Sequence, residues 1–187
     1  MAPCVYAVTM SRIPRAASTW GLLQRDLGGS FVARAHGLLG TKFALLDSRG
    51  RRFGWLRLRG LSVAEFQAGD CAATLKKTGD RYRMVAYGKE TLVAEASKGS
   101  IDELEISCGG RTYEARASFF RNLAVASHPG GERVVRLSGG LTGRSYEALF
   151  AAGDGYALPV AVFLLWHVVA NRRRAYRMGY ATGGGAM

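Results

Sequence analysis

The sequence is poor in cysteine, and its three cysteines lie far apart. Cys4, Cys71 and Cys108 are odd in number and form no Cys-x-x-Cys pair. Disulfide frameworks and structural zinc sites need paired or closely spaced thiols. The sequence therefore predicts neither of them, and it fits the reducing environment of the cytoplasm.

Catalytic and cofactor motifs are also missing. His36, His128 and His167 are scattered without the spacing of metal ligands, and no P-loop, nucleophile elbow or His-Glu-x-x-His segment occurs. The glycine-rich segment SGGLTG at 138–143 precedes no helical pattern, so it indicates a turn. We therefore expect a protein that is not an enzyme and that has no metal site and no cofactor. His167 lies in an apolar segment, and we expect it to be a hydrogen-bonded core residue.

The apolar segment most suited to a membrane is too short to span one. As a helix, ALPVAVFLLWHVVA at 157–170 would rise about 21 Å, whereas the hydrocarbon core of a bilayer is about 30 Å thick. The N-terminal apolar run has its positive charges behind it, unlike a secretory signal. We expect a cytoplasmic protein, and the alternative is a membrane-anchored, scramblase-like protein with a short span.

Acidic residues are scarce. The chain has 14 Asp and Glu against 26 Lys and Arg, which gives a net charge of +12. Such an excess favours polyanionic partners, either lipid headgroups or nucleic acid. An arginine-rich composition without a binding role is the alternative.

What the chain does contain is a series of short strand patterns bounded by turn signals such as DSRG at 47–50, TGD at 78–80 and GG at 109–110. We predict twelve strands, near Phe31–Ala35, Thr41–Asp47, Arg52–Arg59, Val63–Gln67, Asp70–Lys77, Arg81–Tyr87, Thr91–Ala96, Glu103–Cys108, Thr112–Phe119, Arg121–Ser127, Glu132–Leu137 and Arg144–Ala151.

The segment at 157–170 is apolar on every face, so it must be enclosed on all sides. A closed barrel needs its interior filled, and a sandwich would leave this helix uncovered. The sequence thus predicts a mainly β fold, a closed antiparallel barrel of about twelve strands around a central hydrophobic C-terminal helix. The domain should cover residues 19–178, with the helix near 156–177 and flexible ends at 1–18 and 179–187. Asp154 is the expected N-terminal cap, and Pro159 should lie in the first turn.

Two segments carry a resemblance to a known family, RDLGGSFVARAHGLLGTKFALLDSRGRRFGWLRL at 25–58 and SYEALFAAGDGYALPVAVFLLWHVVANRRR at 145–174. Their order of strands before one apolar C-terminal helix resembles the tubby C-terminal-domain-like superfamily, which includes tubby proteins, phospholipid scramblases and LURP-one-related proteins. The resemblance covers about residues 20–178 and is strongest to the small LURP-one-related members. It implies a twelve-stranded barrel around the helix.

The resemblance also implies a binding module, because the barrel surface of tubby binds phosphoinositide headgroups through cations. Scramblase-like features are absent from the sequence: it has no proline-rich N-terminal region, no cysteine cluster and no acidic calcium-binding segment. The function we expect is binding of anionic phospholipid headgroups at a membrane surface, by a cytoplasmic protein that is peripheral to the membrane.

Strand alternation offers a first candidate anion site. Lys76, Arg81 and Arg83 should share the outer face of the hairpin around Gly79, opposite the apolar side chains. Like charges on neighbouring strands repel each other, so the cluster favours a bound anion. The alternative is that the long side chains extend into water.

A second candidate surface lies on the strand Arg52–Arg59. Trp55, Arg57 and Arg59 should point outward, because Leu56 and Leu58 take the inward face. A tryptophan among arginines suits a membrane interface, and it also suits a stacked base of nucleic acid, which we rank below lipid as a partner. The arginines at 172–174 are expected to cap the helix, with phosphate contact or a membrane-flanking role as alternatives.

Overall fold

The structure is a computed structural model that describes residues 15–37, 41–97 and 100–182, and these contain two helices and twelve strands. Their bounds are α1 Arg15–Leu27, β1 Ser30–His36, β2 Lys42–Leu46, β3 Arg52–Leu58, β4 Val63–Ala68, β5 Cys71–Thr78, β6 Arg81–Ala86, β7 Lys89–Ser97, β8 Ser100–Cys108, β9 Arg111–Ser118, β10 Leu123–Ser127, β11 Arg133–Gly139, β12 Ser145–Phe150 and α2 Ala157–Thr182.

The strands form one closed antiparallel barrel. Each strand pairs with its neighbours in sequence, and β1 pairs with β12 to close the sheet. Side chains alternate between interior and exterior: Leu56 and Leu58 are buried, whereas Arg57 between them is exposed. The prediction of a twelve-stranded barrel is confirmed, and so is the inward face of β3.

α2 passes through the barrel. Every residue from 157 to 171 is buried, a length of about 22 Å at 1.5 Å per residue. Twelve strands leave room for a helix about 10 Å across, whereas a barrel of eight is filled by its own side chains. The predicted enclosure of the apolar segment is confirmed. Within the described residues, no helix combines the length and the hydropathy needed to cross a bilayer.

α2 is closer to some strands of the barrel than to others. α2 lies nearest β11 and β12. Several inward positions of β9, β10 and β12 carry alanine, which lets the helix approach this wall closely. The strands β2 to β6 also direct large side chains inward: Phe43, Leu45, Leu56, Phe66, Leu75, Tyr82 and Met84.

Enlarging an inward alanine on the near wall should destabilise the barrel. We expect Ala148→Leu, at a fully buried position on β12, to lower the free energy of unfolding by about 1–3 kcal/mol through overpacking. Ala72→Leu on the outer face of β5 is the matched control, because Ala72 is exposed. Denaturant unfolding of both variants checks this, and equal midpoints would contradict the close approach of α2 to β12.

α1 closes one end of the barrel and is an element that the sequence analysis did not predict. It begins at Arg15, inside the segment 1–18 expected to be flexible, while residues 1–14 lie outside the described part. Trp20 stacks on Phe66 with ring centroids 4.9 Å apart. The Gln24 amide accepts a hydrogen bond from the Leu158 N–H at 2.9 Å. α1 thus docks on both the barrel and the start of α2.

α2 leaves through the opposite end, which we call the exit mouth. It lies at the end of the barrel where β1, β3, β5, β7, β9 and β11 end. The helix continues to Thr182, past its predicted end at 177 and into the predicted tail 179–187, of which residues 183–187 lie outside the described part. The basic residues after the apolar segment are therefore held in the exit mouth.

Candidate functional site

The cations predicted on the hairpin of β5 and β6 lie on the outer face of the barrel. Lys76, Arg81 and Arg83 are exposed, and Lys76 pairs directly across from Arg83. Two of them have carboxylate partners on β7: Arg81 Nε lies 3.3 Å from Glu95, and Arg83 lies 3.0 Å from Glu90. The prediction that these three cations share the outer face is confirmed. The neighbouring strand β7 supplies carboxylates that pair with two of them.

The residues predicted on β3 also face outward. Arg57 and Arg59 are exposed, and Trp55 is half-buried. Arg59 forms an ion pair with Glu65 at 3.0 Å. The Lys42 ammonium lies 5.4 Å from the centroid of the Trp55 ring, which is within range of a cation–π contact.

Strand register joins the two predicted groups into one surface. The Arg59 N–H donates to the carbonyl of Val63, which pairs with Lys76, which in turn pairs with Arg83. We call this surface the outer-face patch, defined by Trp55, Arg57, Arg59, Lys76, Arg81 and Arg83. Of its cations, Arg57 and Lys76 are the two for which the described residues form no ion pair.

The exit mouth concentrates positive charge in a different way. At about 100° per residue, α2 presents Arg172 and Tyr176 on one face, and Arg174 lies about 160° around the helix from Arg172, on a second face that includes Asn171. Arg174, on the second face, donates hydrogen bonds to the Leu61 carbonyl at 2.5 Å and to the Asn171 amide oxygen at 2.8 Å. The helix therefore divides the mouth into two clefts.

Arg172 is held by neutral groups. Its guanidinium donates to the Asn122 amide oxygen at 2.5 Å, to the Leu141 carbonyl at 2.7 Å and to the Tyr176 hydroxyl at 3.1 Å. Partial burial disfavours the charged form, but hydrogen bonds with Tyr176 and Tyr146 outweigh it and raise the pKa of Arg172. Its positive charge is fixed in place, and the hydrogen-bond partners do not neutralise it.

The cleft on this side has a volume of about 260 Å³, and we call it the arginine cleft. Its walls are Ala35, Phe43, Thr142, Gly143, Arg144, Tyr146, Val169, Arg172, Arg173 and Tyr176. Among the described residues, three arginines and no carboxylate line it. Gly143 is required beside Arg172, because its φ is +64° and a Cβ there would collide with the guanidinium.

The second cleft, of about 310 Å³, lies on the opposite side of α2. Its lining is mixed, with Lys77 and Arg174 as cations, Asp102 as an anion and Phe119 and Phe120 among the apolar side chains. The Lys77 ammonium lies 5.0 Å from the ring centroid of Tyr82. Because a carboxylate contributes to this cleft, it is less suited to an anion than the arginine cleft.

His167 lies beneath the second cleft and is only 1% exposed. Its Nε2 is 3.0 Å from the Ile101 carbonyl, and the Asn171 amide lies 3.2 Å from Nδ1. Burial lowers the pKa of His167 from 6.5 to about 4, against the hydrogen bond to Ile101, so the ring is neutral near pH 7. The prediction of a hydrogen-bonded core histidine is confirmed.

Asp154 is a buried carboxylate at the α1 end. Its oxygens lie 3.1 Å from the Tyr113 hydroxyl, 3.1 Å from Arg111, 3.1 Å from His128 Nε2 and 3.0 Å from the Tyr156 N–H. These contacts anchor the turn before α2. The N–H of Leu158 in the first turn of the helix donates to the Gln24 amide oxygen instead, so the prediction that Asp154 caps α2 is wrong. In the described part of the chain, no group of three His, Cys, Asp or Glu side chains could hold a metal ion.

The expectation that the arginines at 172–174 cap the helix is wrong, because α2 continues to Thr182 and its last turn contains no basic residue. Sequence reasoning also missed Arg144 altogether. Arg144 follows Gly143 in the turn between β11 and β12, and it donates to the Gly37 carbonyl at 3.1 Å. The glycine pair at 139–140 and Gly143 was a signal for this turn. The contact between this turn and α2 joins residues about 30 positions apart in the sequence, and the patterns that predict strands contain no information on such contacts.

Comparison with known proteins gives one result on fold. No protein-family model matches the chain, and no curated protein matches it. The crystal structure of an Arabidopsis thaliana protein, AT5G01750, is similar with a TM-score of 0.51 at 13% sequence identity, over 74% of this chain and 90% of that one. At this identity the likeness concerns fold alone, and it fits the twelve-stranded barrel with its helix.

Proposed function

We propose that this protein is a non-enzymatic, tubby-like barrel of the LURP-one-related kind that binds anionic phospholipid headgroups. The sequence resemblance and the shared fold with the Arabidopsis structure support the family assignment. The same proposal places the protein in the cytoplasm, peripheral to a membrane. The net charge of +12 favours such a partner.

The observation that carries the proposal is the arginine cleft. Arg144, Arg172 and Arg173 line one concave space to which the described part of the chain contributes no carboxylate. Guanidinium groups bind phosphate through two parallel hydrogen bonds, so arginine favours phosphate-bearing ligands. Arg172 is already oriented by neutral partners, which reduces the entropy lost when a ligand binds.

The outer-face patch fits the same ligand less well. Arg59, Arg81 and Arg83 each have a glutamate within 3.3 Å, so an anion would compete with an existing ion pair. Arg57 and Lys76 remain as cations that could bind a headgroup at the periphery. We therefore assign the principal site to the arginine cleft and treat the outer-face patch as the competing location.

Charge reversal in the arginine cleft should weaken vesicle binding. We expect Arg144→Glu with Arg173→Glu to lower the affinity for phosphatidylcholine vesicles containing phosphatidylserine or a phosphoinositide by at least about thirtyfold, since each cation near such a surface contributes about 1 kcal/mol and each new carboxylate is repelled by it. Arg52→Glu with Arg133→Glu changes the net charge equally, on exposed arginines near the α1 end. Vesicle co-sedimentation at low and physiological salt measures both.

Two results would contradict the assignment. If the α1-end pair weakens binding as much as the cleft pair, net charge rather than a site controls the interaction. If Lys76→Glu with Arg83→Glu abolishes binding while the cleft pair does not, the headgroup site is the outer-face patch. Pure phosphatidylcholine vesicles are the lipid control, and no variant should bind them.

Nucleic acid is the second candidate, and the geometry around Trp55 favours testing it. Trp55 is half-buried, and Arg57 lies two residues away on the same outer face. A stacked base would use the indole ring, so Trp55→Leu should weaken binding of a single-stranded oligonucleotide. Oligonucleotide binding at least as tight as vesicle binding, together with dependence on Trp55, would replace the lipid proposal.

A further inference from the structure

The turns of the exit mouth carry apolar side chains that the barrel does not bury. Phe120 is 94% exposed and Leu141 is 97% exposed. Ile101 and Tyr176, at the same end, are 43% and 57% exposed. Contact of large apolar side chains with water is unfavourable, and covering them removes this cost. A contiguous group of such side chains on a surface marks an interaction site.

Backbone hydrogen bonds place both residues at the outermost positions of their turns. The Asn122 N–H donates to the Phe119 carbonyl at 3.4 Å, so Phe120 occupies the first central position of that turn. Asn122 has a φ of +52°, a conformation that asparagine tolerates better than most residues. The Gly143 N–H donates to the Gly140 carbonyl at 2.9 Å, which places Leu141 equivalently.

The two tips are joined into one unit. The Asn122 amide donates to the Gly140 carbonyl at 2.7 Å and links the two turns directly. Arg172 crosses between them, because it donates both to Asn122 and to the carbonyl of Leu141. Phe120 and Leu141 are therefore presented together and in a fixed geometry, beside a wall of the arginine cleft.

We infer that Phe120 and Leu141 insert into the interfacial region of an anionic bilayer, so that the barrel docks end-on with its exit mouth toward the lipid. This inference rests on the proposed function and extends it from a headgroup site to a membrane orientation. Arg121 and Arg144 are exposed beside the tips, which gives the charge complementarity that an anionic bilayer requires. An anionic bilayer fits the exposed apolar tips and the neighbouring cations together, so we commit to it as the occupant.

Polar substitution of the tips should weaken membrane binding without removing charge. We expect Phe120→Ser with Leu141→Ser to lower the affinity for phosphatidylcholine–phosphatidylserine vesicles by about tenfold, because the insertion of two apolar side chains is lost. Leu22→Ser with Leu149→Ser is the matched control, since both leucines are about half exposed and lie away from the exit mouth. The control should bind as the parent does.

A depth measurement separates insertion from simple proximity. In Phe120→Trp, bromine-labelled lipid chains should quench the new indole, whereas the same label should leave the indole of Leu149→Trp unquenched. The quenching of the parent with the same labelled vesicles is measured and subtracted, because Trp20 and Trp166 are buried whereas Trp55 is half-buried on the outer face. Quenching of both added tryptophans to the same degree would overturn the end-on orientation.

Soluble inositol hexakisphosphate distinguishes this inference from the proposed function. If the serine variant binds this phosphate compound as the parent does but binds vesicles more weakly, both the headgroup site and insertion are supported. If neither protein binds it, and vesicle affinity still depends on the tips, the headgroup site is wrong and insertion stands. Vesicle affinity that is unchanged by the serine substitutions overturns insertion and leaves the tips to a protein partner.

Discussion

Leu165→Asp is expected to abolish the folded barrel. Leu165 is fully buried at the middle of α2, with strands on every side. An unpaired carboxylate there would lose its hydration or force water into the core, at a cost of several kcal/mol. Because a domain of this kind has about 5–15 kcal/mol of stability in total, we expect little or no soluble folded protein.

The matched control is Leu149→Asp. Leu149 lies on the outer face of β12 and is 45% exposed, so its replacement adds the same charge without burying it. Soluble yield and circular dichroism compare the two variants. If Leu165→Asp folds and unfolds like the control, α2 is not enclosed, and the account of how the barrel is filled fails.

The strands could be predicted because their signals are local. In the turn after β2, the Asp47 carboxylate accepts hydrogen bonds from the N–H groups of Arg49 and Arg51, at 2.9 and 2.8 Å, and Gly50 takes a φ of +76°. The residues that determine such a turn are four or five consecutive positions in the sequence. The enclosure of α2 could also be predicted from the sequence, because a helix without a polar face has to be covered on all sides.

α1 could not be predicted in the same way, because tertiary contacts supply most of its stability. Its first turn has no acidic residue, and Gly21 lies in its middle. Trp20 is buried against Phe66, 46 positions further along the chain, and Gln24 bonds to the start of α2. A short helix with weak intrinsic propensity forms where packing favours it, and sequence periodicity alone underestimates it.

The candidate site shows the same limit. Alternation along β5 and β6 correctly placed Lys76 and Arg83 outside, but it did not reveal that Glu90 of β7 lies 3.0 Å from Arg83. The exit mouth joins Arg144 of one turn to Arg172 of the helix. The alternation of residues along a strand determines which face of the sheet a side chain lies on. The electrostatics of that face also depend on neighbouring strands and on turns that are distant in sequence.

His167 should make the stability of the barrel depend on pH in a defined window. Burial lowers its folded-state pKa to about 4, with the charges of Lys77 and Arg174 contributing, whereas the unfolded chain has an ordinary value of 6.5. The unfolded state therefore takes up a proton near pH 6.5 that the folded state refuses until about pH 4. Acid favours unfolding over this interval, and the difference corresponds to roughly 3 kcal/mol.

We expect the contribution of His167 to the free energy of unfolding of the parent to fall as the pH is lowered from about 6.5 to about 4 and to change no further below pH 4. His167→Gln cannot titrate at this position, so its curve should fall less steeply than that of the parent over the same interval, even if its stability at pH 7 is lower. His36→Gln is the matched control, because His36 is exposed, and it should follow the parent. Urea unfolding at half-unit pH steps gives the curves. Parallel curves for the parent and His167→Gln would show that the buried imidazole is not the group that acid titrates, because only a proton taken up by the unfolded chain at this position makes the two curves diverge.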